Sequence, residues 1–407
     1  MFGRFRFLQN TVSVGVLSLA LASVCNAQTP PADAKPADPA AAPAAPAAPM
    51  PLGTPSITGP LSGLPPAMFD VGFGKIAVNG VLSGGGMVQS NAVTGDNKTQ
   101  AALTNGQVFI QKADGVFQFY VQAGAYNFSS LAVPFMETDK TLSNFFGPVP
   151  VGFVKLQAGK NTSFQIGALP TLIGAEYTFT FQNMNIQRGL LWNQEPIISR
   201  GIQVNQTMGK VSASLSWNDG YYSNRYSWLS GSLMYQDGPH MLMFVAGGNA
   251  GKTAFQTLAV PVQNNSSIYN IIYTYNKNGW IITPYFQYNK VPDNLKIGIA
   301  KGGSTTGGAI LVSKAFKHGF SLPGRWEYIA NSSDKGALDL LGSGPGSKAT
   351  SVTVTPTFQY GGLFFRGDIG VVHNIDFVNG FGPTATQANQ ARAVAEIGFI
   401  FGNNIEK

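Results

Sequence analysis

Charge is what this chain of 407 residues has least of: Asp, Glu, Lys and Arg make up 11% of it. A soluble domain carries about a quarter, so much of this chain is built to face something other than water. Cysteine is nearly missing, with Cys25 as the single example; a disulfide framework and a cysteine metal cluster are excluded. Long apolar runs are missing too. Beyond the N-terminus no stretch of about 18 or more apolar residues occurs, which excludes a bundle of membrane-spanning helices. The net charge is +7, yet the 26 basic residues are scattered, so there is no stripe for nucleic acid. Histidine is limited to His240, His318 and His373, in the short sequences PH and KHG and after Val371-Val372. None belongs to an HExxH or GxSxG pattern. They read as solvated turn histidines, and no catalytic residue, cofactor or metal site is expected.

What is abundant is glycine (49 residues) and aromatic residues (12%). Together with Asn and Thr they favour strands and tight turns. A closed barrel is the non-helical structure that satisfies every backbone group inside lipid. Residues 1–27 read as a signal peptide: Arg4 and Arg6, an apolar run from Thr11 to Ala22, and Cys25-Asn26-Ala27 with small residues where a signal peptidase reads. Cleavage is expected after Ala27, which removes the thiol. The rival reading, a lipidated Cys25, is disfavoured by the bulk of Val24. Residues 28–66 form an Ala/Pro-rich linker around AAAPAAPAAPMP (Ala40–Pro51), extended and without a core of its own, and expected to be disordered. Residues 67–407 are the expected barrel.

From Lys75 onward the period is two. Val211, Ala213, Leu215 and Trp217 alternate with Ser212, Ser214 and Ser216, and Phe117, Phe119, Val121 and Ala123 with Gln118, Tyr120 and Gln122. The run Val352, Val354, Pro356, Phe358, Tyr360 alternates with Ser and Thr. Successive side chains on a strand point to opposite faces. The polar face is Ser, Thr, Asn and Gln rather than Lys and Glu, which suits a hydrated lumen behind a lipid-facing wall. About sixteen strands are expected in an up-and-down antiparallel barrel, centred near Val81, Phe109, Val121, Val154, Phe164, Val204, Ala213, Leu233, Phe244, Ile271, Tyr285, Ile310, Trp326, Val354, Phe365 and Ile397. Short turns at Asp114-Gly115, Gly209-Lys210, Asp237-Gly238-Pro239, Asn278-Gly279 and Gly361-Gly362 alternate with long connections such as Phe128–Pro148, Thr171–Ile198 and Phe377–Asn389. Tyr221, Tyr222, Tyr226, Trp228, Tyr235, Tyr269, Tyr273, Tyr275, Trp280, Tyr285 and Tyr288 are expected in aromatic girdles at the two interfaces.

Strand parity turns Lys155, Arg325, Glu327, Arg366, Asp368 and Glu396 to the polar face, where charge either selects among solutes or braces the wall. Gly84-Gly85-Gly86 and Gly302-Gly303 lie in strand sequence and read as bulges, not phosphate loops. The run TLIGAEYTFTFQNMNIQRGLLWNQEPIISR (171–200) breaks the rhythm and is too long for an idle connection. It is expected to fold into the lumen as the constriction, with Glu176, Arg188, Glu195 and Arg200 opposing one another.

The segment Ile166–Gly231, with GALPTLIGAEYTFTF, GLLWNQEPIISRGIQV and SLSWNDGYYSNRYSWL, resembles the OmpL-like family of β-barrel porins. The resemblance implies an outer-membrane barrel that passes small hydrophilic solutes or ions, with membrane lipid as its surroundings. It transfers no catalytic residues. Porins of this size are often trimers, so a homotrimer is expected. The chain departs from many such barrels in ending Phe401-Gly402-Asn403-Asn404-Ile405-Glu406-Lys407, with Phe399 and Phe401 as the nearest aromatic residues. The readings that compete with a pore are a plugged structural or adhesion barrel and a barrel hydrolase.

Overall fold

The structure, a computed structural model, describes residue 61 and residues 63–252, 261–334 and 336–402. The expected signal peptide and nearly all of the expected linker lie outside the described residues. The strands are β1 (Ala67–Asp70), β2 (Lys75–Gln89), β3 (Thr99–Lys112), β4 (Phe117–Tyr126), β5 (Val151–Gln157), β6 (Thr162–Pro170), β7 (Ile198–Met208), β8 (Val211–Asn218), β9 (Trp228–Asp237), β10 (His240–Asn249), β11 (Ser267–Lys277), β12 (Trp280–Val291), β13 (Gly303–Ala315), β14 (Phe320–Asn331), β15 (Lys348–Val354), β16 (Thr357–Tyr360), β17 (Leu363–Ile375) and β18 (Asn389–Phe401). No described helix is long and apolar enough to cross a membrane.

Each strand from β2 to β14 pairs antiparallel with the next, and β18 returns to β2 from Arg392↔Gln89 to Phe401↔Gly80. The sheet therefore has no edge. Strand β1 pairs with Lys75–Val78 of β2, on the edge that β18 occupies from Gly80 onward, and so continues the place of β18 without adding one. Strands β15 and β16 occupy one place between β14 and β17. Their break falls at Thr355-Pro356, because proline has no N–H to give the ladder. The ring thus contains sixteen strands, and each of the sixteen expected centres falls in one of them. The alternating short and long connections are also as expected.

The molecule is inverted relative to a soluble protein. Phe365 and Ile397 are more than half exposed on the outer wall, as are Leu82, Val88, Leu215 and Trp217. Their inward neighbours, among them Gln107, Gln122, Arg366 and Glu396, are buried. Leaving one large apolar side chain in water forfeits about 1.5–3 kcal/mol, so a wall of them is stable only against lipid. Three expected girdle residues are corrected. Trp228 and Tyr285 sit at inward positions of their strands and are buried, and Tyr221 turns inward, its hydroxyl donating to Gln194 O at 2.7 Å. Parity overrode interfacial preference at the first two, and a loop at the third. Tyr226, Tyr235, Tyr269 and Trp280 remain exposed.

The apolar core lies inside the ring. It brings Phe109, Tyr120 and Phe153 of the wall together with Phe179, Phe181 and Trp192 of the 171–197 connection. The last residues of the expected linker are also tied to the barrel: Leu61 is buried in the same cluster as Phe364 and Ile400, and a side chain at Gly402 would strike the carbonyl of Pro65.

Candidate functional site: the inward-folded segment and the lumen wall

The segment between Pro170 and Ile198 leaves the sheet for local reasons. Large apolar residues occur at both parities (Phe179, Phe181, Ile186, Leu190, Leu191, Trp192) and cannot all face one side of a strand. They pack inside the ring, with short 3-10 turns at Thr180–Gln182 and Trp192–Gln194. The backbone groups this leaves unpaired are satisfied by charged side chains of the wall. Arg366 donates to the carbonyls of Thr180 (2.9 Å), Asn183 (2.8 Å) and Met184 (2.8 Å). Asp368 accepts from Ile186 N (2.8 Å) and Gln187 Nε2 (2.6 Å). Glu327 accepts from Leu190 N (3.1 Å) and Ser351 Oγ (2.6 Å). Thr180 and Thr104 both donate to Glu396. The contacts continue to Gln287 on β12, which donates to Leu191 O at 3.0 Å.

The charged residues therefore meet partners other than those expected. Glu176 pairs with Arg325 of β14 at 2.5 Å, and Arg325 also reaches Glu327 at 3.1 Å. Arg188 donates to the carbonyls of Tyr177, Thr178 and Ser129, and its guanidinium lies over the ring of Trp192 at 5.1 Å. Arg200 belongs to β7 rather than the connection; it pairs with Asp219 at 2.8 Å and stacks on Tyr222. Glu195 is buried, and neither carboxylate oxygen has a hydrogen-bond partner among the described residues. Burial, with Glu176 and Glu327 near it, pushes its carboxyl well above the usual carboxylate range. The expected mutual opposition of Glu176, Arg188, Glu195 and Arg200 is thus corrected: opposite charges meet across long sequence separations, where the wall can neutralise what the segment buries. Arg366 and Glu396 approach to 3.6 Å.

Two glycines allow this close packing. A side chain at Gly189 would strike the carboxylate of Glu327, and one at Gly174, where φ is +88°, would strike that of Glu195. Sequence reasoning missed Arg392, buried on β18 and bonded to Gln89, Ser130 O and Val133 O, with Asp96 at 3.6 Å. The parity that turned Glu396 inward applies equally to Arg392, four residues earlier. His240, His318 and His373 are exposed, but only His318 lies in a turn; His240 and His373 are on β10 and β17.

A second stretch of wall is unlike the first. On β6, β7, β8 and β9 the inward positions include Gln165, Asn205, Ser214 and Ser232, all half-buried and uncharged. Gln203 donates to Asn205 Oδ1 at 2.7 Å and Ser214 to the same oxygen at 2.8 Å. Lys155, on neighbouring β5, points inward between Gln118 and Gln165 and is half-buried.

Residues 75–401 match the family described as "Putative beta-barrel porin-2, OmpL-like". No curated protein matches in sequence. Among solved structures, the barrel is similar to in-vitro folded OmpT in trimer form, an outer membrane protein of Vibrio cholerae (TM-score 0.52, 7% identity, 80% of this chain and 99% of that one). It is likewise similar to the outer membrane channel DcaP of Acinetobacter baumannii (0.54, 8%, 82% and 100%) and to Salmonella typhi OmpF in complex with daunomycin (0.53, 11%, 82% and 100%). At these identities the likeness establishes the sixteen-strand fold, while the family match spans most of the chain. The protein is an outer-membrane β-barrel and belongs to the OmpL-like β-barrel porin family.

Proposed function

We propose that the chain is a passive porin: small hydrophilic solutes or ions diffuse through the lumen, and the inward-folded 171–197 segment sets the constriction. The observation that carries this reading is the inward fold itself. A connection spent on the lumen, and bonded to β12, β14, β17 and β18, narrows the passage and leaves the uncharged wall of β6–β8 as its other side. Glu176, Arg188, Arg325, Glu327, Arg366, Asp368 and Glu396 hold the constriction in place, Glu195 is buried within it, and Lys155 and Arg200 lie on strands beside it. The expected cleavage after Ala27 delivers the chain to the periplasm, and the short-turn rim faces that compartment. A homotrimer is the proposed assembly, in keeping with the trimer form of the similar OmpT. No step of chemical catalysis is assigned.

Deleting Glu176–Asn193 tests the constriction. Single-channel conductance in a planar bilayer is expected to rise severalfold and ion preference to change; unchanged conductance and selectivity would refute it. Absence of stepwise conductance from the intact, folded protein would instead favour a plugged barrel.

A further inference from the structure

Near the short-turn rim the lumen wall changes character. On β6–β8 the inward positions are amides and hydroxyls, but on β9 and β10 they become methionines. Met234 lies three residues before the last residue of β9, and Met243 three after the first of β10. The two are cross-strand partners, and Met243 pairs on its other side with Ile272 of β11, which pairs in turn with Tyr285. Register therefore draws one continuous apolar row across four strands. Met234, Met241 and Met243 are half-buried, while Ile272 and Tyr285 are buried. Ile272 and Tyr285 belong to the core formed with Leu190 and Leu191, and Met243 packs against it, so Met234 and Met243 are the part of the row open to a solute. Methionine is flexible and polarisable and fits apolar bodies of varied shape.

Lys155 lies at a matching depth on β5, two residues before that strand's end. It makes no ion pair or hydrogen bond among the described residues. Two carboxylates near this rim are already paired, Asp114 with Lys112 and Asp237 with Lys210, each at 2.7 Å. Lys155 is thus an uncompensated charge facing the lumen at this level among the described residues, and an uncompensated charge in a narrow passage draws ions of opposite sign.

We infer that the passage prefers organic monoanions with an apolar body, the head group drawn by Lys155 and the body sliding over the Met234–Met243 row. This inference rests on the porin reading. It is tested with the full chain in planar bilayers, using potassium chloride first and then bi-ionic gradients of acetate, phenylacetate and phenethylammonium. In free solution acetate diffuses faster than phenylacetate, so a phenylacetate-to-acetate permeability ratio above one reports the apolar row. That ratio is expected to exceed one and to fall below one in the Met234→Ser/Met243→Ser variant. Lys155→Gln is expected to lower the permeability of both anions relative to potassium by about fivefold, and Lys155→Arg to keep it. Heat-modifiable migration on a gel verifies that each variant is folded. A wild-type ratio below one, equal passage of phenethylammonium and phenylacetate, or folded variants that behave as wild type would overturn the inference. Absence of potassium chloride conductance would overturn the porin reading itself, and is thereby distinguished.

Discussion

The wall formed by β14, β17 and β18 and the wall formed by β6, β7 and β8 obey the same two-residue alternation, yet their inward positions carry different chemistry. The first bears Arg325, Glu327, Arg366, Asp368, Arg392 and Glu396, all buried. The second bears Gln165, Asn205 and Ser214, half-buried, with Ser214 bonded to Asn205 and Gln203 linking Asn205 to Gln165. Where the 171–197 segment lies on the wall, its unpaired backbone groups need strong partners, and charge-assisted hydrogen bonds supply them. Where water lies on the wall, short neutral side chains suffice. A buried charge in this lumen is therefore read first as a bond to an inward-folded connection (the 171–197 segment or, at Arg392, the stretch from Ser130 to Val133), and a lone half-buried charge such as Lys155 as a group addressed to solutes.

Three substitutions probe that contrast. Arg325→Gln would strand Glu176 and Glu327 in the interior without their shared cation, a loss expected to cost about 3–5 kcal/mol. The temperature at which the compact form disappears on a gel should drop clearly, and channel recordings should become noisier as the segment loosens. A variant as heat-resistant as the wild type would break the comparison. Gly189→Ala places a methyl group against Glu327 and should cost about 1–3 kcal/mol through overpacking; the same gel assay reads it, and conductance should change because the segment must shift. Ser214→Ala, on the neutral wall, is expected to stay within about 0.5 kcal/mol of the wild type and to leave conductance nearly unaltered. A large effect there would mean that the neutral wall is also structural.

Glu195 sharpens the contrast from within the segment. It is buried like Glu176 but has no arginine beside it, and Gly174 lies against its carboxylate. Glu195→Gln is expected to preserve or raise heat resistance, since it removes a charge that burial disfavours, whereas Glu176→Gln should lower it by unbalancing Arg325.

Strand positions were legible because alternation is local: each residue's face follows from that of its neighbour. All sixteen expected centres, the short turns and the inward facing of Arg325, Glu327, Arg366, Asp368 and Glu396 follow from it. The same rule turns Arg392 inward, on the parity of Glu396. Girdle assignments were less secure. Trp228 and Tyr285 share a composition with true rim residues such as Tyr235 and Trp280, and only parity separates them.

By itself, the amino-acid sequence determined that this chain builds a lipid-facing barrel with a polar interior, and that the run from Thr171 leaves the wall, although its last three residues, 198–200, returned to β7. Those conclusions need no more than the pleat of a strand and the incompatibility of bulky residues at both parities. The partners inside the lumen were decided only in three dimensions. Glu176 meets Arg325 across 149 positions of sequence, Glu195 meets no cation among the described residues, and Arg188 is held by carbonyls. Such pairings depend on how the ring closes and how deeply the segment enters it, which no local pattern records.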